Sequence, residues 1–173
     1  MVLKSTTGAA EAVKWILISL GLSVLPVFAI VLYLVKRKKL DGIFVTQRQQ
    51  RTRLYVGAGV LAIAGSIILY LLKAPDVLLA TFISGLAAIA LFGLINLAWK
   101  ISLHSAFMSG AAIIFTFVYG AIGATSFLLL VLVAWARFEL KMHSLAQVIV
   151  ASILAVAIVT GVFLGFGIDF HQA

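Results

Sequence analysis

Three polar islands interrupt an otherwise apolar chain, and their residue types suit the chemistry of a phosphate group. The central one is Arg137-Phe-Glu-Leu-Lys-Met-His143-Ser-Leu-Ala-Gln147, which sets an Arg, a Lys and a His between two long apolar segments. Ionisable side chains beside a bilayer are costly and mark functional sites. The second island is Trp99-Lys-Ile-Ser-Leu-His104, and the third is the basic stretch from Lys36 to Arg53. A phosphate ester or diphosphate carries several negative charges, so its site needs converging cations and hydrogen-bond donors. Arg grips two phosphate oxygens with its planar fork. Arg48, Arg51 and Arg137 offer that fork, and Lys100 adds a point charge. With two histidines, one imidazole can attack phosphorus while the other protonates the leaving oxygen, a phosphoryl transfer that needs no metal.

The spacings agree with these roles. His143 and Gln147 are one helical turn apart, so the Gln carbonyl can accept from one ring N–H and leave the lone pair on the other nitrogen. Arg48 and Arg51 share a face if their segment is helical. The start of the apolar segment after Ile101 offers backbone N–H groups near Ser102, Leu103 and His104, a seat for an anion. Each feature also has a plainer reading. A lone His at an interface is commonly structural, the run Lys36 to Lys39 is a topology signal, and Trp99 and Trp135 are interfacial anchors.

These residues must be positioned by apolar helices. The chain has 173 residues, 64% hydrophobic and 10% charged, against roughly 45–50% apolar and about 25% charged in soluble domains. Runs of roughly 20 apolar residues recur, each long enough to cross a hydrocarbon core of about 30 Å. The expectation is an all-α integral membrane protein, with six transmembrane helices in one bundle and a polar site at one membrane face. Residues 1–11 form a polar N-terminal segment, 12–168 the six-helix domain and 169–173 a short tail. The expected spans are 12–35, 54–72, 77–99, 104–119, a fifth ending near Trp135, and 145–167. Pro26 is a site for a kink in the first span. Gly120-Ala-Ile-Gly123 reads as the tight turn before the fifth, and Gly161 and Gly165 as helix-packing positions.

Composition removes other classes. There is no cysteine, so disulfides and thiolate metal sites are excluded. The net charge of +8 lies at membrane boundaries rather than on a soluble face, which argues against a nucleic-acid partner. The apolar run after Lys14 is too long for a secretory signal and reads as the first span. If the spans alternate, ten of the 13 Lys and Arg residues fall on one side. The positive-inside rule makes that side cytoplasmic, with both termini outside. In a prokaryote the protein would lie in the cell membrane.

At this point the chain resembles the type 2 phosphatidic acid phosphatase superfamily of membrane lipid phosphatases, whose motifs are Lys-x6-Arg-Pro, Pro-Ser-Gly-His and Ser-Arg-x5-His-x3-Asp. The third is matched by Ala136-Arg137, five residues, His143, three residues and Gln147. The second is matched by Ile101-Ser102-Leu103-His104, with Lys100 ahead of it, and the first degenerately by Asp41, six residues and Arg48-Gln49, with Arg51 following. Order, spacing and helix number agree over roughly residues 12–168. The resemblance implies that His143 is the nucleophile that becomes phosphorylated and His104 the acid that protonates the leaving lipid oxygen. It further implies that Arg48, Ser102 and Arg137 hold the phosphate, with no metal or other cofactor. Asp41 stands where the family has a cation, so Arg51 or Lys100 would supply that charge. Leu103 in place of Gly keeps its backbone N–H, and the ending His-x3-Gln is similar to the dolichyl diphosphate phosphatase branch.

The leading expectation is hydrolysis of a lipid phosphate or isoprenoid diphosphate. The alternative is a catalytically impaired relative that serves as a lipid-binding or structural subunit of a membrane-protein complex or homo-oligomer. A transporter is disfavoured, since no inverted repeat is evident.

Overall fold

The computed structural model describes residues 8–40 and 48–170, and within these all side chains but those of 48 and 49. Among the described residues every regular element is helical. In order these are α1 (Ala9–Ser19), a π-helical stretch (Leu20–Val24), α2 (Leu25–Lys36), α3 (Arg48–Leu71), α4 (Asp76–Ala98), α5 (Leu103–Ala124), α6 (Phe127–Glu139) and α7 (Leu145–Gly165). The chain divides into two compact units, Val2–Trp99 and Lys100–Ala173.

In the first unit, α1, the π stretch and α2 form one 28-residue apolar helix, Ala9–Lys36. Its irregularity follows from Pro26, which has no N–H for the carbonyl of Leu22 and whose ring crowds that carbonyl. The chain widens just before it, so that Leu25 N–H donates to the carbonyl of Leu20, five residues back. The expected kink is therefore a π-bulge. Helix α3 is already helical at Arg48, six residues before the expected 54, because nothing between 48 and 56 breaks a helix. Arg51 and Arg53 are thus helical residues rather than loop residues. Packing of α3 on α4 uses glycine: a Cβ at Gly93 would lie 3.5 Å from that of Tyr55, and one at Gly59 3.7 Å from Ile89.

In the second unit α5 and α7 pack along their lengths. Buried Ser105, Ser109, Ala112 and Phe117 of α5 recur at helical spacing, as do Val148, Ala151, Ala155, Val159 and Phe163 of α7. Small residues at this contact let the backbones approach. The two helices run parallel. Phe117 and Phe163, late in each, have ring centroids 5.0 Å apart, and a Cβ at Gly110 would lie 3.8 Å from Val159. Phe170 closes that end, stacked 3.9 Å from Phe117. Gly161 and Gly165 do not serve this contact, since a Cβ at either would meet nothing within 4 Å.

Between them, α5 breaks at Gly120, whose φ of 59° and ψ of −136° are open only to glycine. The chain then doubles back so tightly that a Cβ on Gly123 would collide with the Phe115 carbonyl. Thr125 and Ser126 next turn their hydroxyls onto the carbonyls of Ile122 and Gly123, at 2.7 and 2.6 Å. Side-chain capture of this kind interrupts a helical ladder, and α6 begins only at Phe127.

Among the described residues, five helices are long and apolar enough to cross a membrane: Ala9–Lys36, Gln50–Leu71, Asp76–Ala98, Leu103–Ala124 and Leu145–Gly165. Helix α6 has 13 residues, about 20 Å at ~1.5 Å per residue, short of the ~30 Å core. It begins a few residues after the fifth span expected from the sequence, which follows the turn at residues 120–123 and ends near Trp135, and it runs on to Glu139. Large apolar side chains such as Phe107 (75%) and Leu94 (66%) are exposed, which suits lipid rather than water.

Candidate functional site

The end of the second unit where α5 and α7 both begin gathers most of the predicted residues. They come from Lys100 to Ser102 and the first turn of α5, from the C-terminus of α6, and from the connection into α7 with the first turn of that helix.

Helix α6 ends in a Schellman motif. Lys141 N–H donates to the carbonyl of Phe138 and Met142 N–H to that of Arg137, at 2.9 and 3.2 Å. The motif sets Arg137 and Met142 against each other, and Nη1 of Arg137 lies 3.3 Å from the Met142 sulfur. His143 N–H also donates to the Arg137 carbonyl, at 3.3 Å. From the other side, Lys100 Nζ donates to the Met142 carbonyl at 2.9 Å. Two predicted cations therefore converge on the residue just before His143. The Arg137 Nε is buried with no hydrogen-bond partner.

Helix α7 opens with a capping box built from Ser144 and Gln147. Gln147 N–H donates to Ser144 Oγ, and Ser144 N–H donates to Gln147 Oε1, both at 3.3 Å. Oε1 also lies 3.0 Å from His143 Nδ1. Since a backbone N–H already donates to that atom, it is the amide oxygen, and Nδ1 must carry a proton to bond it. The lone pair of the neutral ring is then on Nε2. His143 is buried and lines an open cavity of about 370 Å³ with Phe138, Glu139, Lys141 and Ser144.

Ser102 is fully buried and caps α5: its Oγ accepts from Ser105 N–H at 3.5 Å and lies 2.9 Å from Ser105 Oγ. Leu103 and His104 are the first two residues of α5, with His104 exposed. Because α5 and α7 are parallel, both their N-termini, the positive ends of their dipoles, lie at this end.

Arg51 belongs to α3, in the first unit. The Arg48 side chain and Asp41 lie outside the described residues. Among the described residues, no group of three or more His, Cys, Asp or Glu could hold a metal ion.

Sequence reasoning missed Met142, the shared acceptor for Lys100 and Arg137, because a thioether and a main-chain carbonyl carry no motif. It also missed Ser144, although Ser-x-x-Gln ahead of an apolar run is a readable capping signal. No protein-family model, curated protein or solved structure matches this chain.

Proposed function

We propose that this chain is a multi-pass membrane enzyme that hydrolyses a lipid phosphate or isoprenoid diphosphate through a phosphohistidine at His143. The observation that carries this is the His143 tautomer. Gln147 accepts from Nδ1, so Nε2 holds the lone pair that a nucleophile needs, and Lys100 and Arg137 both engage Met142, the residue just before His143 in the chain.

In the first step Nε2 attacks phosphorus and the P–O bond to the lipid breaks. The electron pair leaves on the lipid oxygen, which takes a proton from His104, the exposed residue in the first turn of α5. In the second, His104 accepts a proton from water, the resulting hydroxide attacks phosphorus, and the P–N bond breaks to release orthophosphate. With a diphosphate the leaving group is the lipid monophosphate. Arg137 and Lys100 offset the charge on the phosphoryl oxygens, and the family resemblance supports the same roles.

The fifth crossing in this proposal is residues 121–139. Thr125 and Ser126 keep right-handed helical backbone, with φ of −60° and −63°, so the segment reaches about 28 Å at ~1.5 Å per residue. That completes six spans.

A second reading, a lipid-binding or structural subunit, draws on the engagement of Lys100 and Arg137 with Met142. The experiment that separates the two is phosphate release by detergent-purified protein with EDTA present. Phosphatidate, phosphatidylglycerophosphate and a polyprenyl diphosphate would be offered to the wild type and His143→Ala. Release that survives EDTA and disappears in the variant supports the enzyme. Release no greater than that of the variant on every substrate favours the subunit.

A further inference from the structure

Among the described residues, three non-glycine positions have positive φ, and all three are lysine: Lys38, Lys73 and Lys141, at 55°, 53° and 51°. Each occupies the same place, one residue past the C-cap of a helix that ends in a Schellman motif. Lys38 N–H donates to Val35 O and Lys39 N–H to Leu34 O. Lys73 N–H donates to Tyr70 O and Ala74 N–H to Leu69 O, and Lys141 and Met142 repeat the pattern on Phe138 and Arg137. Helix α7 ends in the same motif, but there the position is filled by Gly167, with φ of 70°.

Glycine is the ordinary occupant of this position because a Cβ is disfavoured in left-handed backbone. Asn, which can bond its own backbone, is the usual substitute. Lysine has no such local bond, and all three side chains are exposed, so packing does not offset the strain. What lysine adds is an ammonium group at a helix C-terminus. Attraction to the helix dipole accounts for part of this, but it is screened and confined to the last turn. Two of the three positions close the membrane-length helices Ala9–Lys36 and Gln50–Leu71. The end of such a helix lies at the depth of the lipid phosphates, where each Lys near an anionic surface is attracted to it.

We propose that Lys38, Lys73 and Lys141 are lipid anchors, each holding the end of its helix to the phosphate of an anionic phospholipid. Backbone strain is kept at these positions because the charge is needed there.

The test is thermal unfolding of the full chain in neutral detergent micelles, alone and with added phosphatidylglycerol, phosphatidylcholine or inorganic phosphate. The wild type should gain stability with phosphatidylglycerol and much less with the other two. Replacing all three lysines by Gly relaxes the backbone, so that variant should melt higher than the wild type in neutral micelles. It should lose at least half of the shift given by phosphatidylglycerol. A second variant with Asn at the three positions, which tolerates the backbone and lacks the charge, should lose the same fraction. A full phosphatidylglycerol shift in either variant would overturn the proposal. So would an equal shift with inorganic phosphate, or a Gly variant less stable than the wild type in neutral micelles.

Discussion

His143 Nδ1 donates to Gln147 Oε1 across 3.0 Å, and the same oxygen accepts the backbone N–H of Ser144. One amide therefore starts a helix and fixes a tautomer. Where a carboxylate would both orient and charge-stabilise an imidazole, the amide only orients it.

Gln147→Leu removes the acceptor from both donors. Loss of a residue that orients a reactive group typically costs about 10–100-fold in activity, and loss of half the capping box about 1 kcal/mol of stability. Gln147→Glu keeps the reach and adds charge, so it should retain activity while Leu does not. Steady-state phosphate release and thermal unfolding of both variants give the comparison. Equal activity in the two would show that the bond does not orient His143.

Lys100 ties the entrance of α5 to the connection that carries His143, through 2.9 Å to the Met142 carbonyl. Lys100→Met leaves that part-buried carbonyl without this donor, a loss of about 0.5–1.5 kcal/mol. It also withdraws a cation from the site. Activity should fall more than stability alone explains, with kcat reduced in the fraction that remains folded. A lower melting temperature with unchanged kcat would reduce Lys100 to a strut.

The return from α5 into α6 depends on two glycines. Gly120→Ala forces a Cβ into backbone that only glycine adopts, at about 1–3 kcal/mol. Gly123→Ala drives a methyl group into the Phe115 carbonyl. Both variants should lower the melting temperature, Gly123→Ala more because the obstacle is backbone and cannot swing aside. A neutral Gly123→Ala would mean that the turn is wider than described.

Composition and apolar run length made the helical class and the membrane-length apolar helices legible, and Gly120 and Gly123 marked the tight return. The helicity of residues 48–53 was not legible, since the polarity of Gln49 to Arg53 masks good helix formers. Nor was the interruption before α6, because two hydroxyls that capture carbonyls look like ordinary small polar residues. At the site, the spacing of His143 and Gln147 pointed to the bond that is present. The convergence of Lys100 and Arg137 on Met142 was hidden, because a main-chain carbonyl has no sequence signature. Ser102 drew attention through the backbone N–H groups near it and through the family resemblance, and neither signalled that its hydroxyl caps α5.

The most direct measurement is to trap the covalent intermediate. Purified protein would be mixed with lipid phosphate carrying a radioactive phosphorus, quenched within a turnover, and tested for protein-bound label. A phosphohistidine is stable to base and labile to acid. The wild type should carry such label on the peptide containing His143, and His143→Ala should carry none. Label that persists in His143→Ala, or no bound label in a wild type that is releasing phosphate, would contradict the account.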